Sequence, residues 1–238
     1  MSPLWEQRDF QRVAGDVWRP GGPELTRRCL ELCAERCGLQ RGSLVLDLGC
    51  GRGASLDLLA QEGYRALGLD RNAHAAWPKR MSGINALQAD ASCLPLTDNS
   101  LDAVLCECVL SLLHDPCAVL RGCRRVLRPG GALLVSDLFL RAPGGSGSSG
   151  RAGRCAEARF SCADGARARE EWERLLARAG FFLHYFEDHS RALAELAARL
   201  IWYDVADAPG PDRRAAHCAC KGGRALGYGL WIAQKEPQ

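Results

Sequence analysis

The sequence predicts an α/β fold, a doubly wound three-layer sandwich in which a parallel sheet is covered by helices on both faces. Two patterns carry that expectation. Apolar blocks of strand length alternate with longer helical segments, which is the signature of βαβ units. The first of those blocks, Leu44–Leu48, runs into a tight glycine cluster at Gly49, Gly51 and Gly53 and then into a helix. A chain of 238 residues, 47% apolar and 25% charged, has ample material for one large core.

The elements follow in order. A helix is expected over Glu24–Cys37, behind the turn-rich Arg19-Pro20-Gly21-Gly22-Pro23. Strands are expected at Leu44–Leu48, Ala66–Leu69, Ile84–Gln88, Ala103–Cys106 and Ala132–Ser136, with helices at Ala54–Gln61 and Pro116–Leu127. Crossovers of this kind are right-handed, so the helices fall on both faces of one sheet. Ala142–Gly153 is almost entirely Gly, Ser, Ala and Arg, too poor in apolar area to fold by itself, and reads as a loop or lid. Beyond it the pattern gives a helix (Arg167–Ala179), a strand (Phe181–Asp188), a helix (Arg191–Tyr203) and a last strand (Gly227–Ala233).

A net charge of +3 argues against a polyanionic partner, so no nucleic acid is expected. Arg121, Arg124, Arg125 and Arg128 cluster on one expected helix, and a solvated face accounts for them. Met1–Phe10 does not read as a secretory leader. The apolar stretch Leu101–Leu113 contains Asp and Glu, is followed by His114, and is shorter than the roughly 20 residues of a membrane span. A soluble, cytoplasmic protein with no membrane partner is the expectation. The thirteen cysteines, odd in number and spread along a long chain, read as thiols rather than a disulfide framework.

The chemistry concentrates in Val45-Leu46-Asp47-Leu48-Gly49-Cys50-Gly51-Arg52-Gly53, a buried strand turning tightly into a helix. Glycines there allow positive φ and close approach of a ligand to the backbone. Open α/β sheets bind ligands at the carboxyl ends of their strands, where strand order reverses. Asp70 closes the second strand about twenty residues on, placed to accept from both hydroxyls of a ribose. Asp90, in Gln88-Ala89-Asp90-Ala91, ends the third strand as an acid suited to an adenine amino group. Arg125-Val126-Leu127-Arg128-Pro129-Gly130-Gly131 stops a helix before the fifth strand.

Taken in order over about Arg41–Phe139, these segments resemble the class I S-adenosylmethionine-dependent methyltransferases, in particular the small-molecule branch of the methyltransferase-11 type. The resemblance implies a Rossmann-like, seven-stranded, mostly parallel sheet with its last strand antiparallel. It also implies S-adenosyl-L-methionine as cofactor, no metal, and methyl transfer by in-line displacement to a small-molecule substrate. Asp47, Gly49, Cys50 and Gly51 would then form the cleft beside the methionine portion, with Asp47 meeting the α-ammonium. Asp70 would hold the ribose diol and Arg71 would flank the adenine, whose edge Asp90 and Ala91 would touch. Cys106 and Glu107 would line the cofactor near its sulfonium. The division of the chain would be a segment and helix covering the cofactor site (1–40), a cofactor-binding core (41–141), a flexible loop (142–166) and the rest of the same sheet (167–238).

Other readings stand beside these. Asp47 and Asp70 also suit turns, Asp90 a loop entry and Glu107 an ordinary strand terminus. His114 and Glu107 are the candidate catalytic groups, since His114 can take a proton from a hydroxyl acceptor near neutral pH. Its alternative is a helix-entry histidine ahead of an Asp115 N-cap and Pro116 at the first helical position. Arg19–Gly22 and Thr26 either fold over the cofactor or form a tether, and Trp5, Trp18 and Trp202 either line an acceptor pocket or pack in the core. Cys29, Cys33 and Cys37 recur every four residues, as on a packed helix face. Cys155, Cys162, Cys218 and Cys220, with His217, are the thiols suited to a soft substrate or metal. The rival functions are a cofactor-binding scaffold without catalysis and a nicotinamide oxidoreductase, the latter disfavoured because its fingerprint spaces the third glycine.

Overall fold

The computed structural model describes residues 8–15, 17, 19–74, 76–77, 85–141, 162–202 and 226–236. In chain order these form α1 (Arg8–Ala14), α2 (Gly22–Cys37), β1 (Leu44–Leu48), α3 (Ala54–Gln61), β2 (Arg65–Asp70), β3 (Asn85–Gln88), β4 (Leu101–Glu107) and α4 (Pro116–Val126). There follow β5 (Leu127–Leu140), β6 (Arg167–Ala168), α5 (Arg169–Arg178), β7 (Phe181–Asp188), α6 (Ser190–Trp202) and β8 (Leu226–Lys235).

One sheet runs in the order β3-β2-β1-β4-β5-β8-β7, with the two-residue β6 pairing alongside β5. The pairs from β3 to β5 are parallel, and β8 is inserted antiparallel between β5 and β7. The seven strands on this path and the antiparallel last strand agree with the expected Rossmann-like sandwich. Chain order reverses between β1 and β4, which opens a crevice at their carboxyl ends.

Alternation along the central strands builds two apolar layers. Leu46, Leu48, Val104, Cys106, Leu133 and Val135 face Val119, Leu120, Trp172 and Leu176 of α4 and α5. Val45, Ala103, Leu105 and Leu134 face Cys29, Leu30 and Cys33 of α2 and Leu59 of α3. The four-residue cysteine period is thus a helix face packed on the sheet, with Cys29 and Cys33 fully buried.

Several boundaries differ from the expectation. β5 starts at Leu127 and takes in Pro129 and Gly130, so the helix before it stops at Val126. A register shift between Leu101 and Ala103 absorbs this longer pairing. α5 begins two residues late because Arg167 and Ala168 are extended against Phe139 and Leu140. The sequence reading passed over α1, although Phe10, Val13 and Ala14 share a helical stripe against Leu196 and Leu200 of α6. The arginine cluster is no uniform solvated face. Arg125 donates to the carbonyls of Leu94 (2.7 Å) and Leu96 (2.8 Å), Arg128 pairs with Asp102 (2.6 Å), and Arg124 reaches the Gly180 carbonyl (3.3 Å). The loop expected over 142–153, and the residues that follow to 161, lie outside the described residues.

Leu105 is fully buried at the middle of the sheet. Leu105→Ala is expected to lower stability by about 2–5 kcal/mol, read as a lower urea midpoint at unchanged slope.

Candidate active site

Turn geometry explains the glycines. At Gly49 (φ +78°) a Cβ would lie 2.4 Å from Cγ2 of Val109, so both the conformation and the space demand glycine. At Gly51 (φ +50°) an added Cβ meets no described atom within 4 Å, so this peptide borders open space. The turn is tied to β2: Gly49 and Cys50 donate backbone N–H bonds to the Leu69 carbonyl (2.7 and 3.1 Å). Asp70 completes the link, one oxygen accepting from the Gly51 N–H (2.9 Å) and the other from the Asn72 N–H (2.8 Å). A carboxylate has about four acceptor positions, so Asp70 keeps capacity for a ligand. Trp77 donates its indole N–H to the Gly51 carbonyl (2.8 Å), a contact the sequence reading missed.

Asp47, at the carboxyl end of β1, is 4% exposed, and none of the described residues donates to its carboxylate. Burial, and then the charges of Glu107 and Asp70, push it up to about 8 against the opposing pull of Arg19. A buried acid in that state favours a cationic partner.

Glu107 ends β4 and is fully engaged. Arg19 pairs with it at 2.7 Å, Thr26 donates at 3.1 Å and Ser55 at 3.3 Å. Arg19 also bonds Thr26, so the segment before α2 is tied to the tip of β4. The Arg19 side chain is nine-tenths buried, and its Nε has no described acceptor. Burial opposes its charge, but Glu107, Tyr228, Asp47 and Cys108 more than offset this and keep the guanidinium raised.

The backbone turns sharply after Glu107. Cys108 takes a left-handed conformation (φ +56°), and its Sγ lies 3.1 Å from the hydroxyl of Tyr228, itself 3.0 Å from Ser136 Oγ. Asp137 accepts from the Ser111 N–H (3.0 Å) and hydroxyl (2.5 Å), which fixes the loop after β4.

The structure gathers Asp47, Gly49, Cys50, Gly51, Asp70 and Glu107 around one crevice. Other candidates stand differently. Cys106 has its side chain in the first apolar layer, leaving only its backbone toward the crevice. Asp90 is exposed and accepts from the Ser92 N–H (2.8 Å) and hydroxyl (2.7 Å), bonds that hold its carboxyl below the usual range. Arg71 is exposed and Ala91 half-buried. His114 is exposed, while Asp115 caps α4 through the Ala118 N–H (3.1 Å), the geometry of the helix-entry alternative. Trp202, the last residue of α6, is 85% exposed and is not among the described residues that line the two cavities. Trp5, Trp18, Cys155, His217, Cys218 and Cys220 lie outside the described residues. Among the described residues no three His, Cys, Asp or Glu side chains are grouped to hold a metal.

Residues 46–135 match the family model of the methyltransferase domain, which bears out the resemblance read from the sequence over that segment. The chain is 31% identical over 141 residues to the ubiquinone biosynthesis O-methyltransferase of Xanthomonas oryzae pv. oryzae, covering 54% of this chain and 59% of that one. It is 30% identical to the protein of the same name from Xylella fastidiosa, over 54% and 57%. The chain thus spans less than two thirds of the curated relatives it matches. Among solved structures it is similar to the [4+2]-cyclase SpnF (TM-score 0.69, 25% identity, 98% of this chain and 86% of that one). It also resembles phosphoethanolamine N-methyltransferase 2 of Haemonchus contortus in complex with S-adenosyl-L-methionine (TM-score 0.71, 19% identity, 97% and 56%), a likeness of fold.

The raised Asp47 carboxyl has a consequence for stability. Below about pH 3.9 the folded and unfolded states both hold its proton. From there to about 8 the unfolded chain releases the proton and the folded protein keeps it, so the stability this group contributes is lost as pH rises. The loss is at most about 1.4 kcal/mol per pH unit. Asp47→Asn is therefore expected to gain on the wild type between pH 5 and 8 in urea denaturation of the ligand-free protein; parallel pH profiles would contradict the assignment.

Proposed function

We propose that this chain is a cytoplasmic enzyme that transfers the methyl group of S-adenosyl-L-methionine to a small-molecule acceptor. The observation that carries the reading is Asp47, a buried carboxylate without a described donor, beside a glycine peptide that borders open space. An α-ammonium supplies the missing partner, and the uncluttered Gly51 peptide allows the methionine portion to approach the backbone. Asp70, with free acceptor positions, suits the ribose hydroxyls. Arg71, Ala91 and Asp90 suit the adenine end, with Asp90 using the oxygen that Ser92 leaves free. The methyltransferase-domain match over 46–135 covers all of these positions. In keeping with that location, none of the ten described cysteines is in a disulfide, and no described helix is long and apolar enough to cross a membrane.

S-adenosylmethionine, when bound, supplies a methyl carbon already activated by its sulfonium. The protein then has to align the acceptor and exclude water, and positioning of this kind is worth on the order of 7–11 kcal/mol. Cys106 contributes its backbone at the tip of β4. Glu107, engaged by Arg19, Thr26 and Ser55, serves as a positioning residue that fixes the wall next to the sulfur. His114 is the proton acceptor for a hydroxyl substrate if the loop after β4 turns it inward.

The likeness to the [4+2]-cyclase, at 25% identity over 98% of this chain, favours a second reading: the same fold and berth without methyl transfer. Mass spectrometry separates the two. Methyl transfer yields S-adenosylhomocysteine in proportion to product, whereas the second reading leaves the cofactor intact.

Calorimetry is expected to give micromolar binding of S-adenosylhomocysteine, weakened at least tenfold by Asp70→Ala; no binding by the wild type removes the proposal. Affinity should climb toward about pH 8 as Asp47 ionises, with a proton released on binding. It should fall beyond that, because an α-ammonium loses its own proton at about 7.7–8.0. Asp47→Asn should flatten the rising limb.

A further inference from the structure

We propose that the methyl acceptor occupies the cavity between α1, the start of α2 and α6, and that it carries a carboxylate or phosphate group. This rests on the methyl-transfer reading and narrows its substrate class. The cavity encloses about 330 Å³ and is lined by Ala14, Val17, Pro23, Arg19, Ala192 and Arg199, with Glu195, Gly21 and Gly22 completing its described wall. That volume lies at the small end of ligand pockets. α6 follows directly on the carboxyl end of β7, so the cavity sits on the ligand side of the sheet.

Arg19 is the common wall. One Nη of its guanidinium faces Glu107 at 2.7 Å, in the crevice, while Arg19 is also one of the residues lining the cavity. Its Nε is buried without a described acceptor, which is costly unless a ligand or solvent oxygen fills the place. The other charges around the cavity are unequal. Glu195 is engaged by Arg191 at 2.9 Å, whereas Arg199 makes no ion pair among the described residues. α2 adds its positive end, with Gly21 as its N-cap and no side-chain cap. Pro23 has no N–H and the Leu25 N–H is taken by the Gly21 carbonyl, but the Gly22 and Glu24 N–H groups have no side-chain cap. The Glu24 carboxylate of the same turn is paired with Arg27 at 2.8 Å. Ala14, Val17, Pro23 and Ala192 leave the remaining wall apolar. Together these features suit a compact apolar body bearing one anionic group.

The test titrates the full chain, loaded with S-adenosylhomocysteine, with benzoate, phenyl phosphate and the neutral isostere benzamide. At least one anion should bind, with benzamide at least tenfold weaker. Arg199→Gln should weaken the anion at least fivefold, and Ala192→Trp, which fills the cavity, should abolish its binding. Both variants should hold S-adenosylhomocysteine within twofold of the wild type and melt as it does. Benzamide binding as well as the anions, wild-type anion affinity in both variants, or no anion binding to the loaded protein overturns the proposal. Failure of the methyl-transfer reading is distinguishable, since it shows either as absent S-adenosylhomocysteine uptake before any anion is added or, where uptake is normal, as S-adenosylmethionine left intact in the mass-spectrometric assay.

Discussion

Three carboxylates converge at the carboxyl edge of this sheet, and one buried guanidinium stands among them. Asp47, Asp70 and Glu107 end β1, β2 and β4, the strands flanking the reversal in chain order. Like charges in a desolvated crevice resist ionising together. The protein divides the burden unequally. Glu107 takes the guanidinium and two hydroxyls, Asp70 takes two backbone N–H groups, and Asp47 takes no described donor. The rise of Asp47 to about 8 follows from that division. A site that leaves one acid unsatisfied while neutralising its neighbours is arranged to receive a single positive group at a single place.

Arg19 also links chain segments far apart in sequence. It arrives just before α2, bonds Thr26 within α2, and ends on the tip of β4. Buried ion pairs contribute little to net stability, because desolvation offsets the attraction, yet breaking one by removing a single partner is strongly destabilising. The pair therefore acts on geometry: the segment before α2 cannot lift from the sheet without exposing Glu107 or stranding Arg19. Any ligand that engages the crevice acts on this closure as well.

Much of the fold was legible, for physical reasons. β1, α3 and β7 were placed to the residue: β1 is a buried, nearly continuous apolar run ended by Gly49, and Gly53 and Gly180 mark where α3 and β7 begin. The cysteine stripe of α2 was legible through its four-residue period. β5 was not: Pro129 and Gly130 signal a stop, and only the pairing with β4 on either side of them, Leu127 with Leu101 and Ala132 with Ala103, joins the two stretches into one strand with an irregularity between. In the site, acids at strand tips were legible because topology sends them there. Which of them would be satisfied was not. Ser92 occupying Asp90 is a local turn contact that Asp90-Ala91-Ser92 could have signalled, whereas Arg19 occupying Glu107 and Trp77 lying on the glycine turn are tertiary facts with no local signature.

The same distinction explains why a cofactor was easier to read than an acceptor. The proposed adenosyl side is built from one continuous stretch, where strand, glycine turn and acidic tips recur at intervals set by βαβ geometry. The proposed acceptor side is assembled from α1 and the start of α2 at one end of the chain and α6 near the other, each ordinary by itself. Their meeting depends on β8, whose antiparallel insertion between β5 and β7 carries Tyr228 to the tip of β4 and places α6 against α1. Specificity in such a protein resides where no motif can form, so the charge and shape of that assembled wall, rather than any sequence signature, decide what it accepts.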